Sequence, residues 1–475
     1  MGLFKNKNMS KENSKKDSME KIVSLAKRRG FVFQGSEIYG GLANSYDFGP
    51  LGVELKNNIK KLWWKTFVQE RGDILGLDST IIMSPKVWEA SGHIEGFHDP
   101  LVEDKKTHER YRLDHLLEEN GVNVSGMSFD DMSAKIKEMS LKSPNGNELT
   151  NPKQFNMMFK TSVGPAEDSS DDVYLRPETA QGMFVDFKQI LESSRVRVPF
   201  GIAQIGKAFR NEITTGNFIF RVREFEQMEI EYFIKEDDWK DQFEKWLYDM
   251  KKWVKAMGLD ESKVFYHEIA KDDLAHYSKR TIDIEYEFPF GQKELYGLAY
   301  RTDFDLKAHQ EKSGKDMSFQ DPVTGEKYIP HVIEPSWGLD RTFLAVMHSA
   351  YDEVEARSGK DDATHEKEIV LRLPKSLAPY KVAILPLSKK EDLTNLAKEI
   401  ASDLRKEFMV DYDETQSIGK RYRRQDEIGT PYCVTVDFDS LEDKKVTVRD
   451  RDTMEQDRIN ISDLKDYIKD KMSEE

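Results

Sequence analysis

The chain has 475 residues, about three times the usual domain length of roughly 150 residues, which predicts two or three domains with ample core material. With 38% hydrophobic and 33% charged residues the composition is globular, and the net charge of -15 argues against a protein that coats nucleic acid through an overall positive field. The single cysteine excludes an intramolecular disulfide and a multi-thiolate metal site, and with no apolar run long enough for a signal peptide or membrane span it predicts a soluble, cytoplasmic protein that does not bind membranes.

The N-terminal third begins with a polar leader. Residues 1–19 are Lys-rich and lack hydrophobic periodicity, which predicts a disordered leader, and the basic stretch that ends at Arg29 is expected to be a solvated arm. Apolar residues recur at three- and four-residue steps over residues 57–70 and predict an amphipathic helix. Residues 74–83 predict a strand, and the mixture of charge, Gly and Asn over residues 104–164 indicates an insertion rather than core.

Two sheet-forming regions follow. Dense alternation of polar and apolar residues over residues 199–351 predicts the main sheet, so the first large domain is expected over residues 20–360. Residues 361–377 are expected to be a polar linker. The strand–helix–strand pattern that begins at Tyr380 indicates a separate, small α/β domain over residues 378–475.

Residues 201–233 predict two strands joined by a turn at residues 214–217. Because side chains alternate between the faces of a strand, Arg210 shares a face with small residues, and Phe225 shares one with Glu229. A face with these charges cannot be apolar core, so it faces solvent or a ligand. Small residues leave room for a flat ring, an aromatic ring can stack on it and a guanidinium binds phosphate oxygens, which suits a nucleotide. Spacing alone favours the alternative, a solvent-facing hairpin with cross-strand Arg–Glu pairs.

Three strings resemble the signature motifs of class II aminoacyl-tRNA synthetases. FRNE at residues 209–212, followed by a loop and RVREFEQME, resembles motif 2, in which an arginine, an acid and an aromatic residue hold ATP on an antiparallel sheet. GLDSTIIMSP at residues 76–85 resembles motif 1, a dimer-interface element. HVIEPSWGLDR at residues 331–341 resembles motif 3, a strand followed by a helix.

The resemblance narrows to one family, the homodimeric, bacterial-type glycine–tRNA ligases, and covers the chain from about residue 20 onward. The strings that carry it are GSEIYGGLANSYDFGPLGVELKNN (35–58), SPKVWEASGH (84–93), LRPETAQG (175–182), ELYGLAYRTDFDL (294–306) and SIGKRYRRQDEIGTPYCVTV (417–436). It implies an α+β fold with an antiparallel sheet flanked by helices and a C-terminal α/β anticodon-binding domain. It also implies a homodimer formed through motif 1.

The implied reaction is a ligation that forms a carbon–oxygen bond: glycine is activated with ATP to glycyl-adenylate and pyrophosphate and is then transferred to the 3′ end of tRNA(Gly). Activation is mostly positioning and charge neutralisation, and the implied catalytic residues are Arg210, Glu212 and Arg341. The implied ATP-binding residues are Arg210, Asn211, Glu212, Phe220, Arg221, Phe225, Glu294, Leu295, Gly338 and Arg341. Mg²⁺ is the implied cofactor; Glu212 and Glu294 both lie near its expected position, and Glu294 is the favoured ligand.

Glycine selection has to depend on exclusion, because an apolar pocket gains only about 0.8 kcal/mol per added methylene and cannot prefer the smallest amino acid. The implied solution surrounds the ammonium group with carboxylates, which bind a cation and leave no room for a β-carbon. The implied glycine-binding residues are Arg112, Glu178, Phe225, Glu229, Glu334 and Ser336. Glu226 and Glu231 are expected to be ordinary ion-pair members.

Transfer to tRNA needs no side-chain nucleophile, so Cys433 is expected to be a buried small hydrophobe. The residues implied to bind tRNA phosphates are Lys420, Arg421, Arg423 and Arg424. The alternative is a basic loop that Asp426 and Glu427 neutralise.

Other classes of protein fit less well. Class IIa ligases for Thr, Pro or His share motifs 2 and 3 but are not expected to carry LRPETAQG together with EPSWG. Non-catalytic relatives, which are binding proteins, should have lost the phosphate-binding arginines, whereas Arg210 and Arg341 are present. The sequence contains no GxxxxGK[ST] or GxGxxG phosphate loop.

Overall fold

A computed structural model describes residues 18–124, 126–164, 172–213, 216–355 and 367–474. The strands are β1 Val32–Gln34, β2 Tyr46–Phe48, β3 Ile74–Gly76, β4 Ile82–Met83, β5 His98–Glu103, β6 Arg110–Arg112, β7 Lys153–Asn156, β8 Lys160–Ser162, β9 Asp172–Leu175, β10 Phe200–Phe209, β11 Glu224–Ile234, β12 Val264–Glu268, β13 Arg280–Phe288, β14 Gly291–Thr302, β15 Phe319–Gln320, β16 Lys327–Tyr328, β17 His331–Gly338, β18 Tyr351–Glu355, β19 Lys367–Leu371, β20 Val382–Pro386, β21 Val410–Tyr412, β22 Tyr432–Val436, β23 Lys445–Asp450 and β24 Gln456–Asn460. The α-helices are α1 at residues 18–29, α2 Pro50–Trp64, α3 Pro85–Ala90, α4 His93–Gly96, α5 Leu113–Glu119, α6 Phe129–Glu138, α7 Ala180–Ser194, α8 Trp239–Ala256, α9 Phe304–Ser313, α10 Leu339–Ala350, α11 Glu391–Leu404, α12 Ile418–Ile428, α13 Asp439–Asp443 and α14 Leu464–Ser473.

The largest sheet has seven strands in the order β12-β13-β14-β17-β11-β10-β3. Its neighbouring strands are antiparallel except for β10 and β3, which run parallel. Strands β10 and β11 form the predicted antiparallel pair and stay in register from the Phe200–Phe233 pair to the Phe209–Glu224 pair. The strands are shorter than predicted, because residues 210–223 connect them, and residues 214 and 215 of the predicted turn lie outside the described residues. The predicted α+β fold with an antiparallel main sheet is confirmed.

The two faces of this sheet differ in polarity because side chains alternate along β17. Trp337 points into an aromatic core with α2 and α8, where its ring centroid lies 4.7 Å from that of Phe67 and 5.5 Å from that of Trp63. The neighbouring residues Glu334 and Ser336 therefore point to the opposite face. On that face, α7 and α9 cover one end of the sheet with a second apolar cluster, and the other end stays open.

Two of the predicted elements have different bounds. Residues 74–83 do not form one strand: β3 joins the main sheet beside β10, whereas β4 pairs with β9 in a three-stranded sheet. The chain therefore leaves the main sheet after Gly76, where the aromatic ring of Trp64 would lie 2.5 Å from an added Cβ. The predicted helix begins earlier, at Pro50 in the first helical position, and ends in a π-helical turn, Lys65–Gln69.

The predicted leader and linker fall partly outside the described residues. Residues 1–17 and 361–366 are among those not described, but residues 18–19 belong to α1, and β19 begins inside the predicted linker and pairs with β18. The insertion is a small layered unit in which α5 packs on the sheet β6-β5-β7 around Val102 and Leu117.

The C-terminal region has its own five-stranded sheet in the order β21-β20-β22-β23-β24, with its own apolar core. The first three strands in this order are parallel and the others antiparallel, so the predicted α/β architecture is observed. Cys433 is buried on β22, as expected. Within the described ranges, none of the helices has the length and apolar character needed to span a membrane.

Candidate active site

A pocket opens on the polar face of the main sheet, above β11, β14 and β17. Nine of the ten residues expected to bind ATP line it: Arg210, Glu212, Phe220, Arg221, Phe225, Glu294, Leu295, Gly338 and Arg341. Asn211 instead lines the neighbouring groove, and its backbone N–H donates to the carbonyl of Met157 at 2.7 Å. We call the part of the pocket beside Arg341 the outer end and the part beside Ser336 the inner end.

Three arginines converge on the pocket from different elements. Arg210 follows the last residue of β10, and its guanidinium carbon lies 5.4 Å from the ring centroid of Phe225, within cation–π distance. Its Nε donates to the carbonyl of Pro177 at 3.0 Å. Arg341 lies in the first turn of α10, and Arg221 follows the short 3₁₀ helix Phe218–Phe220. Phosphate oxygens in this pocket would meet cationic groups on several sides.

The outer end is held together by Arg341 and Glu294. Arg341 donates to the carboxylate of Glu294 at 3.1 Å and to its backbone carbonyl at 3.0 Å, and the guanidinium carbon lies 4.5 Å from the ring centroid of Phe220. The surrounding pocket residues partly desolvate Glu294 and raise its pKa although its side chain is partly exposed, but Arg341, Arg210 and Arg221 outweigh this effect and hold the pKa below its ordinary value. Glu294 is therefore ionised and lies within the field of all three arginines.

Carboxylates from three segments meet beyond the inner end. Glu229 of β11 accepts from Thr179 at 2.5 Å and from Ser336, whose side chain lines the pocket. Glu178, just before α7, lies 3.3 Å from Nε2 of His93. Glu334 of β17 accepts from Arg301 at 3.0 and 3.1 Å. The three acids that the sequence predicts for glycine binding are thus brought to one place, and their roles stay predictions.

Burial and mutual repulsion shift the pKa values of these acids in different directions. Burial raises the pKa of Glu334 above its ordinary value even though Arg301 lowers it, because Glu229 and Glu178 add to the effect of burial. Burial and the charge of Glu178 also raise the pKa of Glu229. Burial raises the pKa of Glu178 too, but His93 and Arg301 outweigh it and hold that pKa well below its ordinary value.

Sequence reasoning missed Arg301, which organises the inner end. It is 3% exposed, forms two hydrogen bonds of 2.8 Å with Asp305 and places its remaining terminal nitrogen on Glu334. Asp305 in turn accepts from Gln181 of α7 at 3.2 Å. The string ELYGLAYRTDFDL contains both Arg301 and Asp305, so their spacing of four residues was a usable signal.

The prediction for Glu231 is wrong. Glu231 is fully buried on β11, and within the described structure neither of its carboxylate oxygens has a hydrogen-bond partner. It is therefore not an ordinary ion-pair member. By contrast, Glu226 pairs with Lys56 and with Lys60, as predicted.

Arg112 lies in β6 of the insertion and is held by two acids of that region. Its guanidinium contacts Asp99 at 2.7 Å and Asp114 at 2.6 Å. Burial lowers its pKa, but Asp114, Asp99 and the more distant Glu212 outweigh burial and raise it. The ion pairs of Arg112 are thus with Asp99 and Asp114, and its expected contact with glycine stays a prediction.

The four basic residues predicted to bind tRNA lie on α12 but differ in exposure. Arg421 is 2% exposed and donates to the carbonyls of Pro386 at 2.5 Å and Gln416 at 3.0 Å, so it is not displayed to a phosphate and fixes the domain instead. The other three residues line a groove that α1 also borders: Lys420, Arg423 and Arg424.

The α1 side of this groove corrects the prediction of a solvated arm. Arg28 and Arg29 both belong to α1 and contact the carboxylate of Glu427 at 2.6 and 2.5 Å. They line the same groove as Lys420. The N-terminal basic patch is therefore ordered at its end and lies against the C-terminal region.

Comparison with known proteins agrees with this arrangement. A family model described as the tRNA synthetase class II core domain (G, H, P, S and T) matches residues 159–351, and one described as an anticodon binding domain matches residues 381–471. The chain is 55% identical over 463 residues to a glycine–tRNA ligase of Alkaliphilus oremlandii, covering 96% of this chain and 98% of that protein. It is 53% identical over 473 residues to a glycine–tRNA ligase of Geobacillus thermodenitrificans, covering 98% and 100%, and 54% identical over 465 residues to one of Caldanaerobacter subterraneus, covering 96% and 99%.

Proposed function

We infer the reaction of this protein from its family: the chain belongs to the glycine–tRNA ligases, which are class II aminoacyl-tRNA synthetases. It is a ligase that activates glycine with ATP, releases pyrophosphate and transfers glycine to the 3′ end of tRNA(Gly). Identity of 53–55% over nearly the full length of chain and relatives supports a shared reaction. The observation that carries this conclusion is a pocket lined with arginines whose inner end, at Ser336, lies beside the buried carboxylate of Glu229, the register partner of Ser336.

Activation brings a carboxylate oxygen of glycine to the α-phosphorus of ATP, where a new P–O bond forms as the bond to pyrophosphate breaks. Both reactants are anionic, so the residues must neutralise and align them. We assign Arg210, which lines the pocket beside Phe225, to the glycine carboxylate and the α-phosphate. Phe225 provides the stacking surface for adenine, and Arg221 and Arg341 hold the outer phosphates.

The residues at the outer end also fit Mg²⁺, which prefers carboxylate and phosphate oxygens. The side chain of Glu294 is 51% exposed. A second acid, Asp283 of β13, lies near Glu294: burial, Glu294 and Glu285 together raise the pKa of Asp283 to about 7. Glu294 would hold the metal together with ATP, and the metal would neutralise the charge on the outer phosphates. Arg341 would keep Glu294 oriented toward them.

Specificity for glycine comes from the inner end. An ammonium group there would lie among Glu178, Glu229 and the hydroxyl of Ser336. Their oxygens would accept hydrogen bonds from its three N–H groups. Arg301 holds Glu334 at the back of this site. A side chain larger than a hydrogen atom would have to displace these ordered, charged groups, so alanine is excluded by desolvation and by lack of room.

Transfer requires the ribose hydroxyl at the 3′ end of tRNA to attack the carbonyl carbon of the adenylate, with AMP as the leaving group. A protein thiol takes no part: burial raises the pKa of Cys433, and it lies in the C-terminal sheet. We assign tRNA phosphates to the groove lined by Lys420, Arg423 and Arg424, which α1 extends with two further arginines.

We also propose that two copies associate through motif 1. Ile81 and Ile82 within it are 36% and 49% exposed, although such apolar side chains are usually buried. The molar mass of the chain in solution, measured by light scattering, tests this. A mass near twice 55.2 kDa is expected, and a monomer would contradict it.

The predicted cytoplasmic location remains a proposal supported by the single cysteine.

The experiment that tests the reaction is amino-acid-dependent exchange of pyrophosphate into ATP with each of the twenty amino acids. Glycine alone is expected to support exchange. Exchange that depends on threonine, proline or histidine would contradict the specificity, and exchange with none of them would contradict the activity.

A further inference from the structure

Among the acids of the described residues, only Glu231 has both carboxylate oxygens buried without a hydrogen-bond partner. It lies two residues beyond Glu229 on β11 and points to the same face of the sheet. It is fully buried, and neither of its carboxylate oxygens has a hydrogen-bond donor within the described structure. An ionised carboxylate without donors in the interior costs far more than a neutral one, so this group needs a neutralising partner or a proton.

The charged groups that face Glu231 come from every element around it. Glu229 lies on its own strand, Glu334 on β17, Arg301 on β14 and Asp305 on α9. Carboxylate oxygens of Glu229, Glu231 and Glu334 all lie within 4.8 Å of one another. Glu229, Glu231, Glu334 and Asp305 thus lie around a single guanidinium group. The N–H groups of Arg301 already donate hydrogen bonds to Asp305 and Glu334. The cluster carries more negative charge than its cation neutralises.

The hydrogen bonds favour Glu231 as the acid that carries a proton. Glu334 accepts from Arg301, which can only donate, so Glu334 must be an acceptor there. Glu229 accepts from the hydroxyls of Thr179 and Ser336. Only Glu231 of these three has no donor directed at it. Burial raises the pKa of Glu231 well above its ordinary value, and Glu334 adds to the effect against the opposing charge of Arg301.

We propose that Glu231 is a positioning residue for glycine: it stays protonated and presents its proton to the carboxylates of Glu229 and Glu334. The proton removes one negative charge from the cluster and gives the carboxylates of Glu229 and Glu334 a hydrogen-bond donor. Glu229 then remains ionised and correctly placed for the ammonium group above it. This assignment rests on the proposed glycine-binding role of the inner end.

A bound metal cation is the competing way to neutralise Glu229, Glu231 and Glu334. It would need Glu231 ionised, whereas the proton needs it neutral. The substitution Glu231→Gln separates the two, because an amide of the same shape can donate a hydrogen bond but carries no charge. Glu231→Met removes the donor while keeping the length of the side chain. Glu229→Gln is the matched control, since it neutralises the next acid on the same strand.

The first measurement is the KM for glycine and for ATP in pyrophosphate exchange at pH 7.5. E231Q is expected to keep the glycine KM within about two-fold of the unsubstituted protein, whereas E231M and E229Q raise it by about ten-fold or more, as expected for loss of a hydrogen bond involving a charged group. The ATP KM should change little in all three. A glycine KM in E231Q as high as in E229Q would overturn the proposal and favour an ionised Glu231, as would a glycine KM in E231M equal to that of the unsubstituted protein.

The second measurement needs no substrate: the melting temperature of the full chain as a function of pH. A raised pKa in the folded state means that folding takes up a proton above the ordinary pKa of glutamate, so Glu231 lowers stability progressively as pH rises toward its folded pKa. Glu231→Gln removes this loss. Its melting temperature relative to the unsubstituted protein should therefore rise by at least about 3 °C between pH 5 and pH 8.5.

A difference in melting temperature that does not change with pH would show that Glu231 is not protonated and would overturn the proposal. This outcome is independent of the reaction, because failure of glycine-dependent exchange in the unsubstituted protein contradicts the proposed function and leaves the pH dependence readable. The measurement needs only E231Q, so it decides the question even where E231M does not fold.

Discussion

At the outer end of the pocket, Arg341 and Glu294 form an ion pair in which both side chains stay partly exposed, whereas at the inner end Arg301 is 3% exposed and is shared by Glu334 and Asp305. The outer acid has a lowered pKa because arginines outnumber it, and the inner acids Glu229 and Glu334 have raised ones because acids outnumber the arginine.

The difference reflects the groups that the two ends would bind. Triphosphate brings several negative charges, so an excess of arginine beside it lowers its free energy. An ammonium group brings one positive charge and no bulk, so buried acids in excess can bind it while refusing a neutral side chain. Two oppositely charged ends on the same face of the sheet would align the glycine carboxylate with the α-phosphate, to which we assign Arg210.

The largest effect should come from the residue that joins the two ends. Arg210→Ala is expected to lower glycine-dependent exchange by at least about 10³-fold, because its guanidinium neutralises charge that develops in the transition state. Exchange of labelled pyrophosphate is the measurement. Arg110→Ala, at a 61% exposed arginine of the insertion, is the matched control and should stay near full activity. A folded R210A with more than a tenth of the activity would contradict this role.

The comparison of the two ends predicts that neutralising one acid at each end affects different substrates. Glu229→Gln should raise the glycine KM by about ten- to a hundred-fold, with little change for ATP, because it removes a charge paired with the ammonium group. Glu294→Gln should instead change the ATP KM and the Mg²⁺ requirement. Steady-state exchange with each substrate varied distinguishes the two. Glu192→Gln, at an exposed position of α7, is the control. If either variant changed the KM for glycine and the KM for ATP equally, this would contradict the proposal that the two ends bind different substrates.

Arg301 should act mainly through the acids that it holds. Arg301→Lys keeps the charge but cannot serve Asp305 and Glu334 together, so we expect a rise in the glycine KM of about ten-fold and a lower melting temperature. Kinetics and thermal unfolding of the same preparation measure both. A variant with a normal glycine KM and a normal melting temperature would mean that the inner end does not depend on this guanidinium.

The smallest effect on activation should come from the groove far from the pocket. Charge reversal of Arg423 and Arg424 is expected to reduce tRNA charging by about ten-fold at moderate salt, less at high salt, and to leave exchange unchanged. Reversal of the exposed Lys389 and Lys390 makes the same change in net charge elsewhere in the domain and serves as the control. Loss of exchange in step with charging would contradict the assignment of the groove to tRNA.

Alternation, together with the resemblance of the motif strings to the family, was sufficient to predict most of the residues that line the pocket. The hairpin pattern placed Arg210, Phe225 and Glu229 on one face, and the structure has them there. The same pattern places Glu231 on that face too, yet it could not reveal depth: Glu229 reaches hydroxyl donors near the pocket, and Glu231 lies beneath, without a donor. The alternation of side chains along a strand predicts the face to which a side chain points. It does not predict which other residues cover that side chain.

The basic stretch on α12 shows the same limit. Arg421 and Arg424 are three residues apart and chemically identical, but Arg421 is buried against the carbonyl of Pro386 in the neighbouring strand, whereas Arg424 lines the groove. The sequence of α12 alone does not predict where β20, which ends at Pro386, lies relative to the helix. The predicted strand over residues 74–83 failed for a related reason, because its two halves pair with different strands.

The sequence by itself determined the family, the reaction and the α+β class, because its motif strings resemble those of the family, and it named the arginines that we propose to bind phosphate. Only the tertiary structure decided that Arg301 supports the inner end, that Arg421 is internal, that α1 completes the basic groove and that Glu231 lacks a donor. Each of these depends on groups distant in the chain that meet at a few ångströms, and Coulomb energy and desolvation depend on that distance and burial rather than on sequence separation.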